Sequence, residues 1–178
     1  MKSVLVLMLL TLSALAQQEP MPAAAAACGP GKVKFDVKLD DTQHALAEPE
    51  AGKALVYFVQ DVGAVNCIGA CFETRIGLDG TWVGAVQHNS YFSVSVEPGE
   101  RHVCASPELK FFSAASQKFV SSRLALAHFT AEAGRVYYFR ARSFGSQNER
   151  IFEMDAVDAD QAKYLIASYP LSISHPKP

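Results

Sequence analysis

The side chains best suited to chemistry in this 178-residue sequence are four cysteines, Cys28, Cys67, Cys71 and Cys104. In an oxidising compartment an even number of cysteines favours disulfides, and four cysteines allow three pairings. We favour Cys28 with Cys67 and Cys71 with Cys104, because the second bridge would join neighbouring hairpins. The alternative is a zinc site that includes His102. Structural zinc sites use paired Cys-x2-Cys knuckles, which this sequence lacks, so the spacing predicts two disulfides and no metal.

Five histidines could supply a general base or metal ligands: His44, His88, His102, His128 and His175. Catalysis needs a carboxylate or a nucleophile within hydrogen-bond distance of the imidazole, and the sequence does not place one there. The sequence also lacks a Gly-x-Ser-x-Gly elbow, a phosphate-binding glycine loop and a His-Glu-x-x-His motif. The acidic stretch EMDAVDAD has no EF-hand glycine or closing glutamate, so we interpret it as a strand end and a helix cap. We therefore predict no catalytic residue and no cofactor.

The amino terminus indicates that the chain is exported. Residues 1–16, MKSVLVLMLLTLSALA, contain one lysine, an apolar run and small residues before Gln17, as in a secretory signal peptide cleaved near Ala16. The apolar run is too short for a transmembrane helix, which needs about 20 residues. We therefore expect a secreted or periplasmic protein without a transmembrane segment. A lipoprotein anchored through Cys28 is the weaker alternative, because polar residues and prolines separate this cysteine from the apolar run.

The charge of the mature chain is slightly negative. Removing Lys2 with the leader reduces the 16 basic side chains to 15, against 18 acidic ones, which leaves a formal charge of −3. A nucleic-acid-binding protein usually carries a basic excess, so we expect no nucleic-acid partner.

Period-two alternation of apolar residues predicts strands through most of the chain. The segment ALVYFVQ (54–60) is apolar on both faces, which is typical of a buried central strand. Asp79-Gly80 predicts a tight hairpin, because this pair readily adopts the positive φ of such a turn. We predict a second hairpin in 90–106, around a Glu-Pro-Gly-Glu turn, and a third in 124–142, where a Glu-Ala-Gly turn separates two strands.

These elements indicate an all-β protein, an antiparallel β-sandwich of about seven or eight strands with a short C-terminal helix. Further strands are expected in 31–40 and 151–157, and a helix in 158–168. Between the second and third hairpins, 106–123 reads as a long excursion with a short helix near 113–120. The expected organisation is a signal peptide (1–16), a flexible tether (17–30), a single β-sandwich domain (31–170) and a polar tail (171–178).

The order of three sequence stretches resembles a bacterial exported family known as domain of unknown function 2846. The stretches are GKALVYFVQ, RIGLDGTWVGAVQHNSYFSVSVEPGERHVCA and AHFTAEAGRVYYFRAR. The resemblance spans about residues 52–168 and implies a small β-rich envelope protein, without implying an activity, a cofactor or a catalytic residue. The hairpin and the Pro-Gly turn also resemble PEGA-type extracytoplasmic modules, which favours a binding role.

Two groups of aromatic and polar residues are candidates for a binding surface. The first lies along the Asp-Gly hairpin and the loop that leaves it, and the second lies on the strand VYYFRAR, where arginine could stack on rings and bind carboxylates. The candidate residues are Trp82, His88, Tyr91, Tyr138, Arg140 and Arg142. The alternative is structural: tryptophan often anchors a core, and arginine stems can cover a sheet face while their charged heads remain in water.

Two functional hypotheses from different classes follow. The first is a non-catalytic binding or structural module of the cell envelope, with an envelope glycan or a protein as its partner. The second is a hydrolase or metal-dependent enzyme of a type without a recognisable motif. An exposed aromatic surface would favour the first hypothesis, and a histidine beside a carboxylate in a pocket would favour the second.

Overall fold

A strand buried on both faces lies at the centre of the fold. The computed structural model describes residues 26–31, 33–44, 46–62, 72–109, 124–145 and 150–177. All seven side chains of the strand Ala54–Gln60 are buried, which confirms the prediction made from ALVYFVQ. A strand with two apolar faces must be covered on both sides, and this requirement determines the layers around it.

The described residues include ten strands, which form two sheets, and a helix near the carboxyl end. The strands are β1 (Phe35–Asp40), β2 (Ala54–Gln60), β3 (Phe72–Leu78), β4 (Thr81–Gln87), β5 (Ser90–Val96), β6 (Gly99–Leu109), β7 (Ala125–Ala131), β8 (Val136–Gly145), β9 (Arg150–Ala156) and β10 (Leu171–Pro176), and the helix α1 spans Ala159–Ser168. One sheet has the order β1-β10-β5-β2-β8-β9 and the other has the order β4-β3-β6-β7. The predicted all-β sandwich with a short C-terminal helix is confirmed, with more strands than expected.

Most strand pairs are antiparallel, but two pairs in the six-stranded sheet are parallel. β2 pairs with β8 in parallel, and β10 pairs with β5 in parallel. The strand β10 lies within the segment expected to be a polar tail, and it pairs with β1 along its length. The segment therefore contributes a strand to the sheet.

Of the three predicted hairpins, only the Asp-Gly hairpin is a pair of hydrogen-bonded neighbours. β3 pairs with β4, and Asp79 and Gly80 at the turn have φ angles of 47° and 76°, as a tight hairpin requires. The second and third hairpins are wrong. β5 pairs with β2 whereas β6 pairs with β7, and β8 pairs with β2 in the other sheet. The Pro-Gly and Ala-Gly turns thus carry the chain from one sheet to the other, because β2 takes β5 and β8 as its two neighbours.

The space between the sheets is filled by apolar side chains from both. Alternate residues of β2 point into it, and Phe58 stacks on Phe139 and tilts against Phe92, with ring centroids 6.1 and 5.5 Å apart. The buried residues of this core are Ala54, Val56, Phe58, Ile76, Val86, Phe92, Val96, Val103, Ala105, Ala125, Ala131, Phe139, Ala141 and Met154. The sheets therefore enclose one continuous core, as in a sandwich.

The helix α1 covers the outer face of the six-stranded sheet. Its buried residues are Ala162, Leu165 and Ile166, and the last two pack against the other face of β2. Asp158 caps the helix, since its carboxylate accepts a hydrogen bond of 2.9 Å from the Asp160 N–H. The predicted helix is confirmed, with Asp158 as its N-terminal cap.

Side-chain hydroxyl groups join the two sheets along one side. Ser174 accepts a hydrogen bond of 3.0 Å from the Ala85 N–H, and Ser172 donates one of 2.8 Å to the Ala85 carbonyl. A Cβ atom on Gly84 would lie 2.9 Å from the Phe92 ring. Glycine is therefore needed where β4 approaches the six-stranded sheet.

Candidate functional site

Three tyrosines meet on the outer face of the six-stranded sheet. The Tyr57 ring stacks on Tyr138 at a centroid distance of 5.5 Å and tilts against Tyr91 at 6.2 Å. Tyr91 is only 2 % exposed. The prediction that it lies on a binding surface is therefore wrong. Tyr138 is partly buried and packs against the same cluster. This aromatic group is therefore part of the packing beneath α1.

The tyrosine hydroxyl groups hold the backbone at Gln43 and at Ala47 over this face. The Ala47 N–H donates to the Tyr57 hydroxyl at 2.6 Å, and the Tyr91 hydroxyl donates to the Gln43 carbonyl at 2.9 Å. Burial raises the pKa of Tyr57, Tyr91 and Tyr138 above the ordinary value for a phenol. All three side chains are thus neutral at physiological pH and act as apolar surfaces with a polar tip.

Arg140 and Arg142 lie in a network of ion pairs. Arg140 approaches Asp155 at 3.0 Å and Asp61 at 3.7 Å, and Arg142 approaches Glu153 and Asp155, both at 3.3 Å. The pairing of β8 with β9 places Arg140 opposite Asp155 and Arg142 opposite Glu153. Three carboxylates therefore surround two guanidinium groups, which leaves no excess positive charge to attract an anion.

Tyr169 extends this network towards α1. Its hydroxyl donates a hydrogen bond of 3.0 Å to Asp61. Burial first, and then the hydrogen bond to the Asp61 carboxylate, raise the pKa of Tyr169 to about 12. The proton is retained because a phenolate would lie in a partly buried site beside a negative charge.

Trp82 occupies a different place, on the outer face of the four-stranded sheet. Its ring packs against Ala27 and the Cys28–Cys104 disulfide, and the Arg75 guanidinium lies 4.8 Å from the ring centroid. Arg75 is itself buried and donates to the Ser106 hydroxyl at 2.8 Å. Trp82 therefore anchors the amino-terminal segment by packing and a cation–π contact.

The disulfide in the described residues joins Cys28 to Cys104. The expected bridges from Cys28 to Cys67 and from Cys71 to Cys104 are therefore wrong. The reason is that the chain before β1 lies across β3, where a Cβ on Gly77 would be 2.8 Å from the Cys28 Cα. Residues 26–30, which belong to the predicted flexible tether, are thus attached to the domain. Cys67 and Cys71 lie outside the described residues, as does the helix expected near 113–120.

The histidines are spread over several places. His88 follows β4 with a φ of 57°, and its Nε2 lies 3.1 Å from the Gln87 side chain. His44 Nε2 lies 2.8 Å from the Asp41 carbonyl, and His175 lies on the exposed part of β10. His102 and His128 face each other across β6 and β7. Within the described ranges, no group of three or more His, Cys, Asp or Glu side chains could hold a metal ion.

The predicted surface residues consequently do not form one site. Tyr91 and Tyr138 both contact Tyr57, and the two arginines share Asp155, whereas Trp82 and His88 lie on and after β4 in the other sheet. Most of the aromatic and basic side chains on β8 therefore pack against other residues or form ion pairs.

A surface that the sequence did not single out lies on β7. Leu124 and Leu126 are 39 % and 42 % exposed, and His128 and Thr130 follow them on the same face. The inward positions of this strand include the small residues Ala125 and Ala131. We call Leu124, Leu126, His128 and Thr130 the β7 face. Alternation in LALAHFTA was the available signal, but both of its sets contain apolar residues, so it did not tell which set faces outward.

Comparisons with known proteins add the family. In the part of the chain that the structure describes, no helix is both long and apolar enough to cross a membrane. Searches of curated proteins and of solved structures returned no match. A family profile matches residues 50–155, which run from the turn before β2 into β9. The match covers more than half of the chain, and the chain therefore belongs to the family described as "Protein of unknown function (DUF2846)".

Proposed function

We propose that this chain is an exported component of the bacterial cell envelope that acts as a non-catalytic binding or structural module. The observation that carries the binding role is the β7 face, where two large apolar side chains remain in water while alanines of the same strand point inward. Neighbouring exposed apolar residues often mark an interaction surface.

The Cys28–Cys104 disulfide supports export. Disulfides form and persist in oxidising compartments such as the bacterial periplasm, and are rare in the cytosol. A sulfur atom in this bridge is also not available for a thioether to lipid, which argues against an anchor at Cys28. Export through the predicted signal peptide therefore agrees with the covalent structure of the domain.

A protein is the partner class that the β7 face fits best. The segment 124–131 contains no charged side chain, so its surface is not suited to phosphates or acidic polymers. Glycan recognition commonly uses exposed rings, but Tyr91 is buried and Tyr138 stacks on Tyr57. An apolar surface with an imidazole at its edge resembles the centre and rim of a protein interface.

Site-specific photo-crosslinking in intact cells tests this proposal. A photoreactive amino acid at Leu126 should give a discrete adduct with an envelope protein, because the side chain would be buried on binding. Leu39 on β1 is the matched control, since it is a leucine with a similar exposure of 41 %. Equal labelling from both positions, or no adduct from Leu126, would refute the β7 face as a binding surface. A chain that remains in the cytoplasm after fractionation would refute export separately.

A further inference from the structure

Two histidines form a directly opposed pair on neighbouring strands. His102 on β6 lies opposite His128 on β7 in the antiparallel register, and their ring centroids are 6.4 Å apart. His128 is exposed, and the His102 side chain is 43 % exposed, so both rings are accessible to solutes. Opposed residues in an antiparallel pair have Cβ atoms about 4.5–5.5 Å apart, so both imidazoles lie side by side on the same face of the sheet.

The backbone beneath this pair is held firmly. Asp79 accepts a hydrogen bond of 2.8 Å from the His102 N–H, and its own N–H donates to the His102 carbonyl at 2.9 Å. Arg101 adds an ion pair to the Asp79 carboxylate at 2.8 Å. Because β6 is paired on both edges, with β3 and β7, the position of His102 is fixed before any ligand binds.

A carboxylate lies beside the pair. The Glu100 side chain is 67 % exposed, and its Oε1 is 3.7 Å from His102 Nε2. This negative charge favours a cation over an anion at the site. Neutral imidazole is a good ligand for Cu, Zn and Ni ions, and affinity among divalent metals is highest for Cu(II).

We propose that His102 and His128 bind a divalent transition metal ion, with Cu(II) preferred over Zn(II). A metal bonded at about 2 Å to one nitrogen of each ring requires the centroids to approach somewhat, and the exposed side chains can rotate to do so. The two imidazoles are the protein ligands, water fills the remaining positions, and Glu100 adds charge beside them. This site shares His128 with the β7 face, but it requires only one chain, so metal binding can be measured without the binding partner.

Copper titration of the full mature protein tests the inference. At neutral to slightly alkaline pH, Cu(II) should bind with an electron paramagnetic resonance spectrum that shows coupling to imidazole nitrogen. Either His102→Gln or His128→Gln should weaken Cu(II) binding about 10²-fold, because the metal is then held by one imidazole and loses the advantage of two ligands on the same chain. Zn(II) should bind more weakly at the same site.

His175→Gln is the matched control, because it removes one exposed strand histidine outside the pair. It should leave Cu(II) affinity and the nitrogen coupling unchanged. The melting temperature without metal should be the same for all three variants, and Cu(II) should raise it in the wild type and in His175→Gln only. If His102→Gln and His128→Gln bind Cu(II) as tightly as the wild type, or if His175→Gln loses equal affinity, the site does not exist.

Discussion

Removing the Cys28–Cys104 bridge should strongly destabilise the domain. The two cysteines are 76 positions apart. For a loop of this length, the chain-entropy relation predicts a stabilisation of about 4.5 kcal/mol at 25 °C. Since single domains are stable by only about 5–15 kcal/mol, this one bond supplies a large share of the free energy of unfolding. For a chain of this size, the loss corresponds to a fall in melting temperature of about 10–20 °C.

The assay is urea unfolding of Cys28→Ala in a background where Cys67 and Cys71 are replaced by serine. That background prevents the free Cys104 thiol from exchanging with other cysteines. In oxidising buffer, the variant should unfold at a much lower urea concentration than its parent. In reducing buffer the two should nearly coincide, and any remaining difference measures the packing lost at position 28.

Two outcomes would contradict this reasoning. The first is that the oxidised parent and the variant unfold at the same urea concentration. Either the bridge then does not form, or it restricts a segment that would otherwise move as freely in the folded state as in the unfolded state. A tryptic map of the unreduced protein distinguishes these cases, because the bridge joins the peptide ending at Lys32 to peptide 102–110. Cys28 linked to the peptide that contains Cys67 would restore the pairing predicted from sequence.

Three further outcomes are expected. In an ultraviolet titration, Tyr169, with a pKa of about 12, should ionise at a higher pH than the other tyrosines. That last ionisation step should be missing in Tyr169→Phe. Because the unfolded phenol ionises near pH 10, stability should fall as pH rises from about 10 to 12. Gly84→Ala should cost about 1–3 kcal/mol in urea unfolding, because its Cβ would clash with the Phe92 ring. All four cysteines should be oxidised, so alkylation of the denatured, unreduced protein should label no thiol.

Most strands were predictable from the sequence, but their partners were not. Two apolar faces on β2 identified the central strand, and Asp79-Gly80 identified the one of the three predicted hairpins that forms. Local turn signals at Pro98-Gly99 and Gly134 indicated chain reversal, which is equally compatible with a hairpin and with a crossing between sheets. The choice depends on which strands cover β2, and that is a property of the whole fold.

The strand β10 was missed because its pattern is inverted relative to a usual surface strand. Ser172 and Ser174 point towards β4 and bind the Ala85 backbone, while Ile173 is 38 % exposed. Inward serines and an outward isoleucine read as a polar tail when hydrophobicity is the criterion. The β7 face was missed for a similar reason, since leucines face water and alanines face the core.

The arginines on β8 illustrate how a charge pattern becomes informative only with its partner strand. Arg140 and Arg142 alternate with apolar residues, and Glu153 and Asp155 do the same on β9. Two strands with opposite charges at period two can pair in a register that sets each arginine opposite an acid, and β8 and β9 do so. Such pairing fixes the register of β9 at the edge of the sheet. It also disfavours anion binding, because an anion would have to displace a carboxylate that already contacts each guanidinium. The basic strip is therefore explained by strand pairing, and the search for a binding surface moves to the four-stranded sheet, where Leu126 and the histidine pair remain exposed.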